Sequence, residues 1–311
     1  MDFFLLITGL LGLWLGTELT IGGALAIARR HNLSEFFVGL VILSIGSDLP
    51  EIAIAIDAGF KSLGGRDASG VVVGSSIGSV VAQIGFVLGL GGLISYLTLP
   101  RDFIFRHGAV LLTATVLLFV LAFDGTVTRA EGLALITFYA LYVIALMNGG
   151  NKPDEVPGTI AGGGAKSWTL LCVGLITVIL GSEVTVNSVV NIAHAFNISE
   201  ALISVLIIGL GTSLPELSIS ISAILKKRNH MSVGNIIGSN ILDTVLPIGL
   251  AAVISAVSVE RHLVFFDIPY IFLLTCIVLG LFLARKGVGR PQGVIILSVY
   301  ACYVLVKLAQ F

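Results

Sequence analysis

Gly46-Ser47-Asp48-Leu49-Pro50-Glu51 and Gly211-Thr212-Ser213-Leu214-Pro215-Glu216 stand 165 residues apart in a chain of 311, each inside an otherwise apolar run. A proline within a helix has no N–H to donate, and its ring crowds the carbonyl four residues earlier. Pro50 and Pro215 are therefore expected to break their helices against Gly46 and Gly211, freeing backbone carbonyls beside Glu51 and Glu216. An acid at the centre of a membrane span costs roughly 2.5–3.5 kcal/mol on insertion scales, so such residues face polar cavities rather than lipid.

The match extends outward from these motifs. Leu15-Gly16-Thr17-Glu18 corresponds to Leu180-Gly181-Ser182-Glu183, and Asn32-Leu33-Ser34-Glu35 to Asn197-Ile198-Ser199-Glu200, at the same offset of 165. From Leu15 to Glu51, 14 of 37 positions are identical without a gap. After a five-residue difference in the loop, Gly74-Ser75-Ser76-Ile77-Gly78-Ser79 corresponds to Gly234-Asn235-Ile236-Ile237-Gly238-Ser239. The chain is an internal duplication.

Composition sets the solvent. The chain is 56% hydrophobic and 11% charged, with 37 glycines and a mean hydropathy of +1.07, against roughly 25% charged in soluble domains. A soluble chain of this length cannot bury so much apolar surface. The balance of 17 basic and 18 acidic residues offers no stripe for nucleic acid. Apolar runs of spanning length fall at about 3–28, 36–60, 71–98, 104–123, 128–148, 168–192, 200–225, 232–258, 263–284 and 291–309. The first run lacks the basic lead-in of a cleaved signal and is expected to be a retained helix.

These runs predict an all-α polytopic membrane protein of ten transmembrane helices. Residues 1–148 form a first five-helix repeat, 149–166 a Gly- and Pro-rich linker, and 167–311 a second repeat. Five spans is an odd number, so the second copy enters the bilayer inverted, the arrangement of secondary transporters with a mid-membrane site. Twelve Lys and Arg gather on one side of this topology, among them Arg29, Arg30, Arg101, Lys226, Arg228, Arg285 and Arg290. Five gather on the other: Lys61, Arg66, Arg129, Arg261 and Lys307. The positive-inside rule then puts the linker in the cytoplasm and both termini outside a cell membrane.

Four acids lie deep in the spans, Asp48, Glu51, Glu216 and Asp243, with no base at matching depth. A cation or protons must offset them. Ser47 and Thr212 precede the glutamates by four residues, Asp48 and Ser213 by three, and Ser79 and Ser239 precede Gln83 and Asp243 by four. These spacings share a helix face. Oxygen-only ligation by carboxylate, amide, hydroxyl and carbonyl suits Ca²⁺ or Na⁺, and the lack of His and Cys argues against zinc or copper. An intramembrane aspartyl protease would need one Asp dyad and its Gly-x-Gly-Asp motif, which does not occur, and a passive channel has little use for carboxylates this concentrated. No enzyme activity and no cofactor are expected.

Gly-Thr-Ser-Leu-Pro-Glu followed by Gly-Asn-Ile-Ile-Gly-Ser-Asn-Ile-Leu-Asp resembles the α-repeats of the sodium/calcium exchangers, within the wider cation/calcium antiporter superfamily, and the likeness to its short archaeal and bacterial members spans essentially the whole chain. The resemblance implies antiport of Ca²⁺ against Na⁺, with side-chain ligands on Ser47, Asp48, Glu51, Ser79 and Gln83, and on Thr212, Ser213, Glu216, Ser239 and Asp243. It implies carbonyl ligands from Ser44 and Gly209, sliding of the first and sixth helices across the other eight, and function as a monomer. Asp48 departs from the family, which usually has Ser there, and makes four carboxylates. This leaves H⁺ open beside Na⁺ as the coupling ion.

Other features invite plainer readings. Cys172, Cys276 and Cys302 read as small buried hydrophobes, and His31, His107, His194, His230 and His262 as solvated residues at span ends. The Gly74/Gly78, Gly85/Gly89 and Gly234/Gly238 spacings read as close packing that brings the third and eighth spans to the broken helices. Glu18 and Glu183 either line the ion path or sit at the interface, and Asp57, whose counterpart is Ser222, reads as exposed.

Overall fold

A computed structural model describes residues 2–148, 164–195, 211 and 213–309. The helices are α1 (Asp2–Arg30), α2 (Glu35–Ser47), α3 (Leu49–Leu63), α4 (Ser69–Ile94), α5 (Arg101–Leu121), α6 (Arg129–Asn148), α7 (Gly164–Ala195), α8 (Leu214–Leu225), α9 (Asn229–Ile254), α10 (Leu263–Arg285) and α11 (Arg290–Ala309). Among the described residues eight are long and apolar enough to cross a bilayer, and α2 with α3 makes a ninth span bent by 44°. Of the run expected at 200–225, only α8 and the two residues Gly211 and Ser213 are described.

The bend falls where proline dictates. Asp48 leaves the helical region (φ −85°, ψ 6°), and Leu49-Pro50 opens α3, where a proline's missing N–H costs nothing. Ser213 takes nearly the same conformation (φ −91°, ψ 10°) ahead of Leu214-Pro215. Two stretches of wider π-type helix adjoin these features, Val38–Leu43 before the bend and Gln83–Val87 within α4. Such bulges turn side chains out of regular register and recur at functional sites.

The most enclosed element is α9, buried at almost every position from Met231 to Ala252. It meets α2 backbone to backbone: a Cβ at Gly234 or Gly238 would strike the Phe36 or Leu40 carbonyl. The eighth span thus approaches the bent helix as expected. Gly85 and Gly89 are also packing positions, but against Tyr300 and Leu297 of α11 rather than a broken helix. For Gly74 and Gly78 no close neighbour occurs among the described residues.

A second close contact joins α1 to α7, antiparallel, with Gly9 at Thr185, Gly16 at Val178 and Gly23 at Leu171. The buried apolar residues form two clusters. One holds Leu13, Ile21, Ile27, Leu171, Leu175 and Val178 of this pair with Val38, Leu43, Ile219 and Met231 beneath, and the larger one runs through α4, α5, α6, α9, α10 and α11.

Short backbone pairings tie the two ends. β1 (Thr126–Val127) pairs antiparallel with β2 (Val257–Ser258), Val127 opposite Val257. At the far end of α5, Leu97 and Val288 exchange both backbone hydrogen bonds at 2.8 Å. Leu97 and Val257 are 160 residues apart, and Val127 and Val288 are 161. The two pairings are therefore the same contact with the halves of the chain exchanged, one at each end of a helix about 31 Å long.

The outer surface is apolar. Phe3, Phe4, Trp14, Phe60, Phe105 and Met147 are each largely exposed, a surface that water would not tolerate and hydrocarbon does. Cys172, Cys276 and Cys302 lie on it as free, exposed thiols, which corrects the expectation of burial. A small apolar side chain has no cause to avoid lipid. His107 corrects the other bland reading: it is 3% exposed, inside α5, and its Nδ1 lies 2.8 Å from the Tyr142 hydroxyl. His31 is exposed and His262 pairs with Glu260 at 3.2 Å, as span-end residues should, while the His194 side chain lies outside the described residues. Lys307, counted above among the five basic residues of one side, has a buried partner. It sits in α11 with Nζ 3.0 Å from Asp267 Oδ2 in α10, where Asp267 is fully buried and also accepts the Tyr303 hydroxyl at 2.5 Å. That buried acid neutralises the lysine in place.

Candidate ion-binding site

Four elements from both halves deliver side chains to one buried locus. The bend supplies Ser47, Asp48 and Glu51, α4 supplies Ser79 and Gln83, the start of α8 supplies Ser213 and Glu216, and α9 supplies Ser239 and Asp243. All nine are at most 2% exposed. Asp48 lies within electrostatic reach of Glu51, Glu216 and Asp243, so the four acids share one field.

A hydrogen-bond chain crosses between the halves. Ser79 Oγ and Ser213 Oγ are 3.0 Å apart, and Gln83 Nε2 donates to Ser79 Oγ at 2.9 Å and to Asp243 Oδ2 at 3.0 Å. The amide thus spends both protons on the site and turns its oxygen inward. In the bend, Ser47 Oγ lies 3.3 Å from both Asp48 Oδ1 and the Ser44 carbonyl. That carbonyl also accepts the Asp48 N–H at 3.0 Å, so both of its lone pairs are engaged. The carbonyl that Pro50 deprives of its usual donor is that of Gly46, four residues earlier. Gly209 and Thr212 lie outside the described residues.

The acceptors left over define the chemistry. Asp48 Oδ2, both Glu51 oxygens, Gln83 Oε1, both Glu216 oxygens, Ser239 Oγ and Asp243 Oδ1 are buried and have no hydrogen-bond partner among the described residues. Buried oxygens without donors are costly, and among the described residues the four acids have no basic partner. A hard cation satisfies such a set. No three Asp, Glu, His or Cys side chains among the described residues converge into a single metal cage. The oxygens instead spread over neighbouring positions, which favours ions held by one or two carboxylates together with hydroxyl, amide and backbone oxygens.

Two buried polar residues beside the site were not singled out from the sequence. Asn235 Nδ2 donates to Ser220 Oγ at 3.1 Å, tying α9 to α8, and Tyr139 of α6 is buried within electrostatic reach of Asp48 and Asp243. Asn235 stands inside the second copy of the duplicated motif, where the first copy has Ser75. The Tyr139 side of the site could be found only from packing.

A helical multi-pass membrane protein with a donor-poor, all-oxygen site between its halves is a cation transporter in kind. The sodium/calcium exchanger protein family model matches residues 1–148 and 166–309, and the chain belongs to that family. Cation/Ca²⁺ antiport is the family's activity. The sodium/calcium exchanger MaX1 of Methanosarcina acetivorans is 27% identical over 98% of both chains, and the membrane protein MJ0091 of Methanocaldococcus jannaschii is 31% identical over 96% of this chain and 94% of its own. The solved sodium-calcium exchanger NCX_Mj superposes with a TM-score of 0.83 at 28% identity, covering 98% of each chain.

Proposed function

We propose that the chain exchanges Ca²⁺ for Na⁺ by alternating access, with Glu51 and Glu216 as the carboxylates for which both ions compete. Ser47, Asp48, Ser79, Gln83, Thr212, Ser213, Ser239 and Asp243 complete the shells, with carbonyls from Gly209 and from Ser44, the latter once Ser47 Oγ gives up its 3.3 Å contact to that carbonyl. The observation that carries this reading is the set of buried, unpartnered acceptor oxygens gathered from the bend at Asp48, α4, the start of α8 and α9. Competition for one shared set makes the ions exchange rather than travel together.

The proposed architecture is ten spans in two inverted repeats, 1–148 and 167–311, joined by a cytoplasmic linker at 149–166, with both termini outside and the monomer as the working unit. Support comes from the paired breaks at Asp48 and Ser213 and from the interchangeable contacts Leu97–Val288 and Val257–Val127. Ser95 bonds Asn229 beside Lys226 and Arg228, and Arg290 bonds the Leu93 carbonyl, so the basic side of the charge count gathers at one end. Movement of α1 and α7 as one unit is supported by their glycine-lined contact, Gly9 at Thr185, Gly16 at Val178 and Gly23 at Leu171.

Reconstituted vesicles loaded with Na⁺ should take up ⁴⁵Ca²⁺ along the Na⁺ gradient, and Glu51→Gln or Glu216→Gln should reduce that uptake to background. Retained uptake in both variants would remove the assignment. Proton coupling is the second reading, favoured by Asp48 facing the Glu216 carboxyl. Uptake driven by a pH gradient in Na⁺-free buffer decides for it.

A further inference from the structure

Lys226, at the end of α8, reaches across to Glu18 of α1, Nζ to Oε2, at 2.6 Å. The pair straddles a cleft of about 420 Å³ walled by Trp14, Thr17, Ser218 and Ser222. At an offset of 165, Lys226 corresponds to Lys61 and Glu18 to Glu183. These counterparts do not meet. Lys61 is held 2.6 Å from Asp57, one turn earlier on its own helix. Glu183 is exposed on α7 and has no hydrogen bond or ion pair among the described residues. Asp57 corresponds to Ser222, so the second half has no acid at the equivalent place on α8 to compete for Lys226.

The geometry makes the two pairs mutually exclusive. α1 and α7 interlock through glycines and carry both glutamates. The lysines lie at opposite ends of the molecule, because Lys61 leads into the start of α4 while Lys226 stands beside Asn229, which bonds Ser95 past the end of α4. A shift of the α1–α7 pair toward one lysine is a retreat from the other. Half-exposed ion pairs are individually weak, which suits a contact that must break in every cycle.

We propose that Glu18–Lys226 and Glu183–Lys61 are alternative latches, one closed in each orientation of the α1–α7 pair, and that Asp57 retains Lys61 while the first is closed. The proposal rests on the alternating-access reading given above. The test uses a cysteine-free chain (Cys172, Cys276 and Cys302 each changed to Ser) carrying either Glu18→Cys with Lys226→Cys or Lys61→Cys with Glu183→Cys, in proteoliposomes. A bifunctional methanethiosulfonate must bridge each pair, since a direct disulfide needs Cα atoms within about 7 Å.

Both pairs should cross-link, and replacing Ca²⁺ by Na⁺ should raise one yield while lowering the other. Asp57→Ser, which frees Lys61, should lower the Glu18/Lys226 yield. Yields that move together, a Lys61/Glu183 pair that never links, or an Asp57→Ser variant without effect would each overturn the latches. Flux by the cysteine-free parent is read separately. A parent without Na⁺-driven ⁴⁵Ca²⁺ uptake but with opposed cross-linking would remove the exchange reading and keep the latches.

Discussion

Gln83 is the residue on which the two halves depend most directly. Its Nε2 is the donor to both Ser79 of its own helix and Asp243 of α9. Gln83→Leu leaves Asp243 Oδ2 buried without a donor, a loss of about 1–3 kcal/mol. Apparent Ca²⁺ affinity in ⁴⁵Ca²⁺ uptake should fall by about fivefold to 140-fold, at 1.4 kcal/mol per decade. Gln83→Glu should cost more, because it replaces the donor by a like charge 3.0 Å from Asp243. Unchanged affinity in both variants would show that the amide only fills space. Most of this locus was legible in the sequence, since Asp48, Glu51, Ser79, Gln83, Ser213, Glu216, Ser239 and Asp243 share repeated motifs at helical spacing. What spacing could not reveal is how partners divide between halves, so the bond from Gln83 to Asp243 and the engagement of the Ser44 carbonyl appear only in three dimensions.

At the scale of elements, the ends of α10 and α11 are pinned by a group that local sequence hides. Asp267 and Lys307 are 40 residues apart and neither stands in a repeated motif, so their pairing shows only once the helices are packed. Removing one member of a buried pair strands the other, at about 3–5 kcal/mol, whereas removing both charges is close to neutral. Lys307→Met alone should therefore lower the melting temperature of the detergent-solubilised protein clearly. Adding Asp267→Asn should restore most of it, because Asn still accepts the Tyr303 hydroxyl. A double variant as unstable as the single would mean that lysine packing, not charge, holds α11. The α1–α7 contact invites a complementary test. A Cβ at Gly16 would stand 2.7 Å from the Val178 nitrogen, so Gly16→Leu must separate the helices, and uptake should be lost while Gly22→Leu, which meets no neighbour, is tolerated.

Across the whole molecule, the halves interlock rather than sit side by side. α1 packs on α7, α2 on α9, Ser79 meets Ser213, Gln83 meets Asp243, and each end is tied by one backbone pairing between the halves. The site is thus assembled from two chains' worth of helix that happen to be one chain. The linker supplies none of these contacts: every site residue lies at or before Gln83 or at or after Gly209. Covalent continuity through 149–166 should then be dispensable once both halves are inserted, since the buried interface, not the linker, sets their relative position. Expression of 1–157 and 158–311 as separate polypeptides should give two fragments that co-purify at equal stoichiometry in detergent and restore Na⁺-driven ⁴⁵Ca²⁺ uptake, while either fragment alone carries none. Lys166 remains with the second fragment, so the charge that orients α7 is kept. Fragments that insert but do not associate would place the organising role in the linker. Activity from one fragment alone would overturn the view that the ion site needs both halves.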